Sequence, residues 1–193
     1  MHLLRRSCRF ALLTAFFAAL SAMHVQAQAV PSAFGPGHSL WVGAQLSDVS
    51  ASFPYQSGRR IQGVGVVADF HVNYRLSLAA EANFLTRGGF DGSTETSYLA
   101  GPKAFIFARG RFRPYGKFLV GLAHIHYPFA IGDASYLALA PGAGTEYRVS
   151  RRWMLHAEYE YQMWQGSPGY NNEPDHKLTP NGFHVGVAYR IFR

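Results

Sequence analysis

The sequence predicts an all-β fold: eight antiparallel strands closed into an up-and-down barrel that crosses a membrane, preceded by a helical signal peptide. Three observations carry this. From Leu40 to the end the residues alternate apolar and polar with period two, the period at which strand side chains switch faces. The connections between these runs alternate strictly in length, starting with a long one. The average composition is that of an ordinary domain, with 48% hydrophobic and 15% charged residues among 193 and a mean hydropathy of −0.05. No run of about 18 apolar residues occurs, which excludes a bundle of transmembrane helices.

The first segment is an address. Arg5, Arg6 and Arg9 precede a stretch from Phe10 to Met23 that is apolar apart from Thr14 and Ser21, and Val25-Gln26-Ala27-Gln28-Ala29 follows. A basic start, a short apolar run and small residues at the end make a secretory signal peptide over residues 1–29, cut after Ala27 or Ala29. Residues 30–38 then form a periplasmic linker and residues 39–193 the barrel. Cys8, the single cysteine, leaves with the signal, so disulfides and thiolate chemistry are excluded. Loss of three arginines lowers the formal charge from +7 to +4.

The strands follow in order. Leu40 to Ser50 is the first, with imperfect alternation. In the second, Val64, Val66, Ala68, Phe70 and Val72 oppose Gly63, Gly65, Asp69 and His71. In the third, Leu76, Leu78, Ala80, Ala82 and Phe84 oppose Ser77, Glu81 and Asn83. Ser97 to Ala108 and Pro114 to Tyr127 are the fourth and fifth, again less regular. The sixth sets Leu137, Leu139, Ala143, Tyr147 and Val149 against Glu146, Arg148 and small residues. Trp153 to Met163 is the clearest: Trp153, Leu155, Ala157, Tyr159, Tyr161 and Met163 alternate with Met154, His156, Glu158, Glu160 and Gln162. Phe183 to Ile191 closes the set.

Asn73 to Arg75, Arg109 to Arg113 and Ser150 to Arg152 are short turns. Pro54 to Arg60, Arg87 to Thr96, Pro128 to Ala134 and Gly166 to Pro180 are longer connections. An even strand count with short turns at one end and long loops at the other is the layout of a membrane barrel. A two-sheet sandwich has no reason to segregate its loops by length.

The polar face carries both signs of charge: Asp69, Glu81, Glu146, Glu158 and Glu160 against Lys103, Lys117, Arg148 and Arg190. Charges buried in a narrow lumen must form a paired network. Gly43, Gly63, Gly65, Gly121, Gly142, Gly144 and Gly186 lie on the same face and leave room opposite them. The apolar face therefore meets lipid. Aromatic residues gather near strand ends, among them Trp41, Trp153 and Tyr189 toward the short turns and Trp164 toward the long loops, as in membrane-interface girdles. Arg75, Arg109, Arg111, Arg113, Arg151, Arg152 and Arg193 sit at the short turns or chain end, where they meet anionic headgroups. Pro102 and Pro141 fall inside strands and require either a bulge or an unpaired neighbouring carbonyl.

The last strand, His184-x-Gly186-x-x-Tyr189-x-Ile191, resembles the terminal signal read by the barrel-assembly machinery in the eight-stranded outer-membrane β-barrel family, the OmpA/OmpX-like membrane domains. The resemblance covers the chain from about Leu40 onward, and Tyr98-Leu99-Ala100-Gly101-Pro102-Lys103 with Arg113-Pro114-Tyr115 resembles the family's paired fourth and fifth strands. Where the family ends on an aromatic residue, Phe192 is followed here by Arg193. The resemblance implies an outer-membrane location and a monomer surrounded by outer-membrane lipid.

Eight strands leave an interior that side chains can fill, so no pore is expected. The expected role is structural, or surface interaction through the loops, with Tyr55, Phe90, Phe129 and Tyr170 as exposed candidates for an extracellular partner. Lipid A deacylases of this architecture pair His and Ser two apart; no His-x-Ser occurs here. His124-x-His126 has metal-ligand spacing but is an incomplete set. No catalytic residue, metal or cofactor is therefore assigned, and no nucleic-acid module is present. The alternatives are a soluble exported barrel holding a small apolar ligand, or a lipid-modifying outer-membrane enzyme.

Overall fold

The computed structural model describes residues 38–53, 56–88, 93–106, 110–127, 132–165 and 178–192. Its strands are β1 (Ser39–Phe53), β2 (Gln56–His71), β3 (Leu76–Arg87), β4 (Thr94–Phe105), β5 (Phe112–Tyr127), β6 (Gly132–Arg148), β7 (Trp153–Tyr161), β8 (Met163–Gln165) and β9 (Asn181–Phe192). From β1 to β7 each strand pairs antiparallel with the next, β8 pairs with β6, β7 pairs with β9, and β9 returns to pair with β1. β7 and β8 lie along β6 in one continuous register, so the ring counts eight barrel strands with no free edge.

Alternation sets the faces. In β7 every second residue is buried, beginning at Met154. Leu46, Val64, Leu78, Leu122, Phe183 and Val185 point outward and are more than half exposed to the barrel's surroundings. The inward set carries the buried charges Asp69, Glu81, Lys103, Lys117, Glu146, Glu158 and Glu160 together with apolar clusters toward both ends, unlike the uniformly apolar interior of a soluble barrel built to hold an apolar ligand.

The strands run further than alternation alone predicts. β1 and β2 pair out to Phe53 and Gln56, so most of the first expected long loop is strand. Backbone pairing satisfies N–H and C=O groups whatever the side chains, and it continues past the apolar band. β4 likewise begins at Thr94, inside the expected second loop.

Neither strand proline makes a bulge. Along β4–β5 the pairs Ala100 with Val120 and Lys103 with Lys117 keep one register, while the two positions between them are unpaired. The β3 side stays continuous through Leu78 and Pro102. Pro102 therefore leaves one gap, opposite the Phe118 carbonyl. Pro141 does the same on the β7 side, where pairing lapses between Gly142–Glu160 and Leu139–Met163 and separates β7 from β8. A missing N–H removes one ladder bond and leaves the rest in place.

Several inward glycines serve strand approach, not lumen space. A Cβ at Gly121 would strike the carbonyl of Tyr98 on the neighbouring strand, and one at Gly43 the carbonyl of Val187. The expectation that all of these glycines leave room in the lumen is corrected on this point: in so tightly curved a barrel the neighbouring backbone already occupies that space.

Candidate functional site

The lumen holds two groups of ion pairs. Nearer the short turns, Lys103 Nζ lies 3.0 Å from Asp69 Oδ2 and 2.8 Å from Glu146 Oε1. Arg113 Nη1 lies 3.6 Å from Glu146 Oε2, and its Nη2 donates to the Tyr74 carbonyl at 3.0 Å. Lys103 also sits 4.0 Å from the Tyr115 ring centroid, and the Arg113 guanidinium 3.8 Å from that of Phe105. Aromatic faces thus supplement the carboxylates around both cations.

Deeper in, Lys117 Nζ lies 2.5 Å from Glu81, 2.6 Å from Glu158 and 2.7 Å from Glu160. Tyr115 donates its hydroxyl to Glu158 at 2.6 Å, Gln162 donates to Glu160 at 2.8 Å, and Trp164 Nε1 donates to Gln162 at 2.7 Å. The three glutamates have the spacing of a cation site. Its position is taken by the Lys117 ammonium, an internal cation in place of a metal.

A neutral network completes the packing. Gln45 donates to Asn83 at 2.8 Å and meets His156 Nε2 at 3.0 Å, while Ser47 Oγ lies 2.8 Å from His184 Nδ1. The space between the two charged groups, bounded by Asp69, Glu81, Lys103, Tyr115, His156 and Glu158, has no room for a water molecule. Toward the long loops the lumen turns apolar: Leu99, Leu119, Ala123, Ile125, Tyr136, Trp164 and Leu178 form one buried cluster. Tyr136 and Trp164 stack there with centroids 5.3 Å apart. Trp41, Met154 and Ala188 cluster at the short-turn end.

Asp69, Glu81, Lys103, Lys117, Glu146, Glu158 and Glu160 are all buried within this lumen. Arg148 and Arg190 stand at its mouth, their guanidinium carbons 5.9 and 5.7 Å from the Trp41 ring. Three placements differ from expectation. Trp41 and Trp164 do not belong to a girdle: both are buried in the lumen, because they share the inward parity of Gln45 in β1 and Glu160 in β7–β8. Arg113, expected at the rim, turns inward as a partner of Glu146. Glu95, assigned by sequence to a loop, is buried because β4 starts one residue before it. His124 and His126 face outward and bond across to Ser135 and Asp133 on β6.

The signal segment, the linker up to residue 37, Tyr55, Phe90, Arg109, Phe129, Tyr170 and Arg193 lie outside the described residues.

The family model described as outer membrane protein beta-barrel domain matches residues 15–190. The chain belongs to this family. Among solved structures the outer-membrane barrel is similar to Ail, the attachment invasion locus protein of Yersinia pestis, at 20% identity and a TM-score of 0.52, covering 80% of this chain and 97% of that one. Ail in complex with the heparin analogue sucrose octasulfate gives 20% identity and 0.51 over the same shares. Neisserial surface protein A gives 17% identity and a TM-score of 0.58, covering 78% of this chain and 96% of that one. At these identities the likeness shows the fold. No curated protein matches the sequence.

As an outer-membrane barrel, the chain presents its aliphatic outer face to lipid. Polar pairs bracket that band toward the loops, where Arg60 and Asp48 form an outward ion pair at 2.9 Å and His126 bonds to Asp133. Toward the short turns Trp153 and Tyr189 face outward and meet edge to face at 5.0 Å. In β9, His184 and Gly186 face inward, where a Cβ at Gly186 would meet the Ala44 carbonyl and the His156 ring. Ile191 faces outward.

Proposed function

We propose that this protein is a closed-lumen barrel of the outer membrane, with a structural role or a surface-interaction role carried by its extracellular loops, and that it performs no catalysis. One observation supports this above all: Lys117 and its three glutamates fill the middle of the lumen, beneath the stacked Tyr136 and Trp164. A passage for ions would need those pairs broken, at a cost of about 3–5 kcal/mol for each broken buried pair. Residues 1–29 direct export and are removed, the barrel-assembly machinery reads the segment His184, Gly186, Tyr189 and Ile191, and the mature protein is a monomer. The loops carry any extracellular contact, because paired charges occupy the middle of the lumen.

Planar-bilayer recording of the refolded mature chain tests this. The expected trace shows no steady conductance in molar salt. A stable conducting level in the unmodified barrel, whose size changes in Lys117→Met or Trp164→Ala, would overturn the closed-lumen reading.

A further inference from the structure

The three short turns are strongly and uniformly basic. Residues 72–75, 107–111 and 149–152 hold Arg75, Arg109, Arg111, Arg151 and Arg152 and no Asp or Glu. Among the described residues, backbone bonds join the segments that carry Arg111, Arg152 and Arg190. The Arg148 N–H donates to the Arg111 carbonyl at 2.9 Å, and the Arg190 N–H donates to the Arg152 carbonyl at 2.9 Å. Three segments far apart in sequence, carrying Arg111, Arg148 to Arg152 and Arg190, thus meet around the β6–β7 turn. Glu146, the carboxylate in that part of β6, is fully buried and held by Lys103, so it does not neutralise the rim.

Beside these arginines the outer wall is aromatic. Phe112 and Trp153 are about half exposed, and Tyr189 packs against Trp153. Arg152 Nη1 donates to the Tyr189 hydroxyl at 3.2 Å, which ties the basic rim to the lipid-facing wall. Guanidinium groups bind phosphate through paired donors, and aromatic rings sit at the boundary between headgroups and acyl chains. A free phosphate would use the arginines alone; a phospholipid uses both surfaces at once.

We propose that Arg111, Arg151 and Arg152, with Phe112, Trp153 and Tyr189 beneath them, form a binding site for an anionic phospholipid of the periplasmic leaflet. The site rests on the reading that the short turns face the periplasm, as they do in barrels of this family. It would anchor the barrel at a fixed depth and select its annular lipid on one side.

The test is reconstitution of the mature chain in phosphatidylcholine vesicles containing a minor fraction of phosphatidylglycerol, followed by extraction and analysis of the retained lipid. Phosphatidylglycerol should be enriched by about fivefold for each arginine engaged. The enrichment should vanish in the R111Q/R151Q/R152Q variant, fall but persist in R111K/R151K/R152K, which keeps the charge without the paired donors, and be unaffected by R87Q at the opposite end. No enrichment, equal enrichment in the triple glutamine variant, or displacement of the lipid by inorganic phosphate would overturn the proposal. Folding of each variant is read from heat-dependent gel mobility. A cysteine at Ser150, labelled with an impermeant maleimide, separates the two readings. Labelling in intact cells overturns the orientation and the site together. Labelling only after lysis, combined with absent lipid enrichment, overturns the site alone.

Discussion

Lys117 Nζ stands 2.6 Å from Glu158 Oε1 and is as close to Glu81 and Glu160, so one ammonium organises three carboxylates from two strands. The group is buried and tied onward through Tyr115 and Gln162. Removing Lys117 strands three acceptors, whereas removing any one glutamate leaves two partners behind. Lys117→Met should therefore destabilise the barrel by about 3–5 kcal/mol, and Glu81→Gln by clearly less. Urea unfolding in detergent micelles, followed by tryptophan fluorescence, ranks the two; equal losses would mean that Lys117 is not the hub.

Gly121 and Gly116 lie on the same strand and make opposite predictions. A Cβ at Gly121 collides with the Tyr98 carbonyl, whereas at Gly116 the nearest atom, the Gly142 carbonyl oxygen, is 3.9 Å away. Gly121→Ala should lose more than about 2 kcal/mol or fail to fold, because backbone must move. Gly116→Ala should be neutral or gain about 0.5 kcal/mol from a less flexible unfolded chain. Refolding yield on gels and urea midpoints check both.

Pro102 leaves the Phe118 carbonyl without its ladder donor while the flanking pairs stay in register. Pro102→Ala supplies the missing N–H to that gap. It should stabilise the barrel by about 1 kcal/mol, and the new amide should be protected from hydrogen exchange in an NMR spectrum. A freely exchanging amide at this position would show that the gap has another cause.

Leu78 is outward and 54% exposed. On a water-facing surface, Leu78→Arg would change stability little. On a lipid-facing one it should cost about 2–4 kcal/mol if the residue sits near the midplane. Unfolding measured in phospholipid vesicles reads the difference.

The strand alternation was legible because side chains in a strand change face at each residue. The charged lumen was visible from parity alone in β2, β3 and β7, where the apolar set has no ionised member. Parity failed where alternation is imperfect. Trp41 belongs to the irregular β1 and Trp164 lies beyond the gap opposite Pro141, so their nearness to strand ends suggested a girdle while their backbone register turns them inward. Glu95 and Arg113 escaped for a related reason: strand ends are set by backbone pairing, which carries no side-chain signature.

By itself, the sequence determined the number of strands, which face meets lipid and which residues bring charge into the interior, since these depend on local periodicity and the chemistry of each side chain. Only the closed tertiary structure decided which charges meet. The convergence of Glu81, Glu158 and Glu160 on Lys117, the gathering of distant arginines around one turn and the close backbone approach at Gly121 all depend on how strands remote in sequence are staggered around the ring. That stagger follows from closure of the whole barrel, a constraint that no single segment contains.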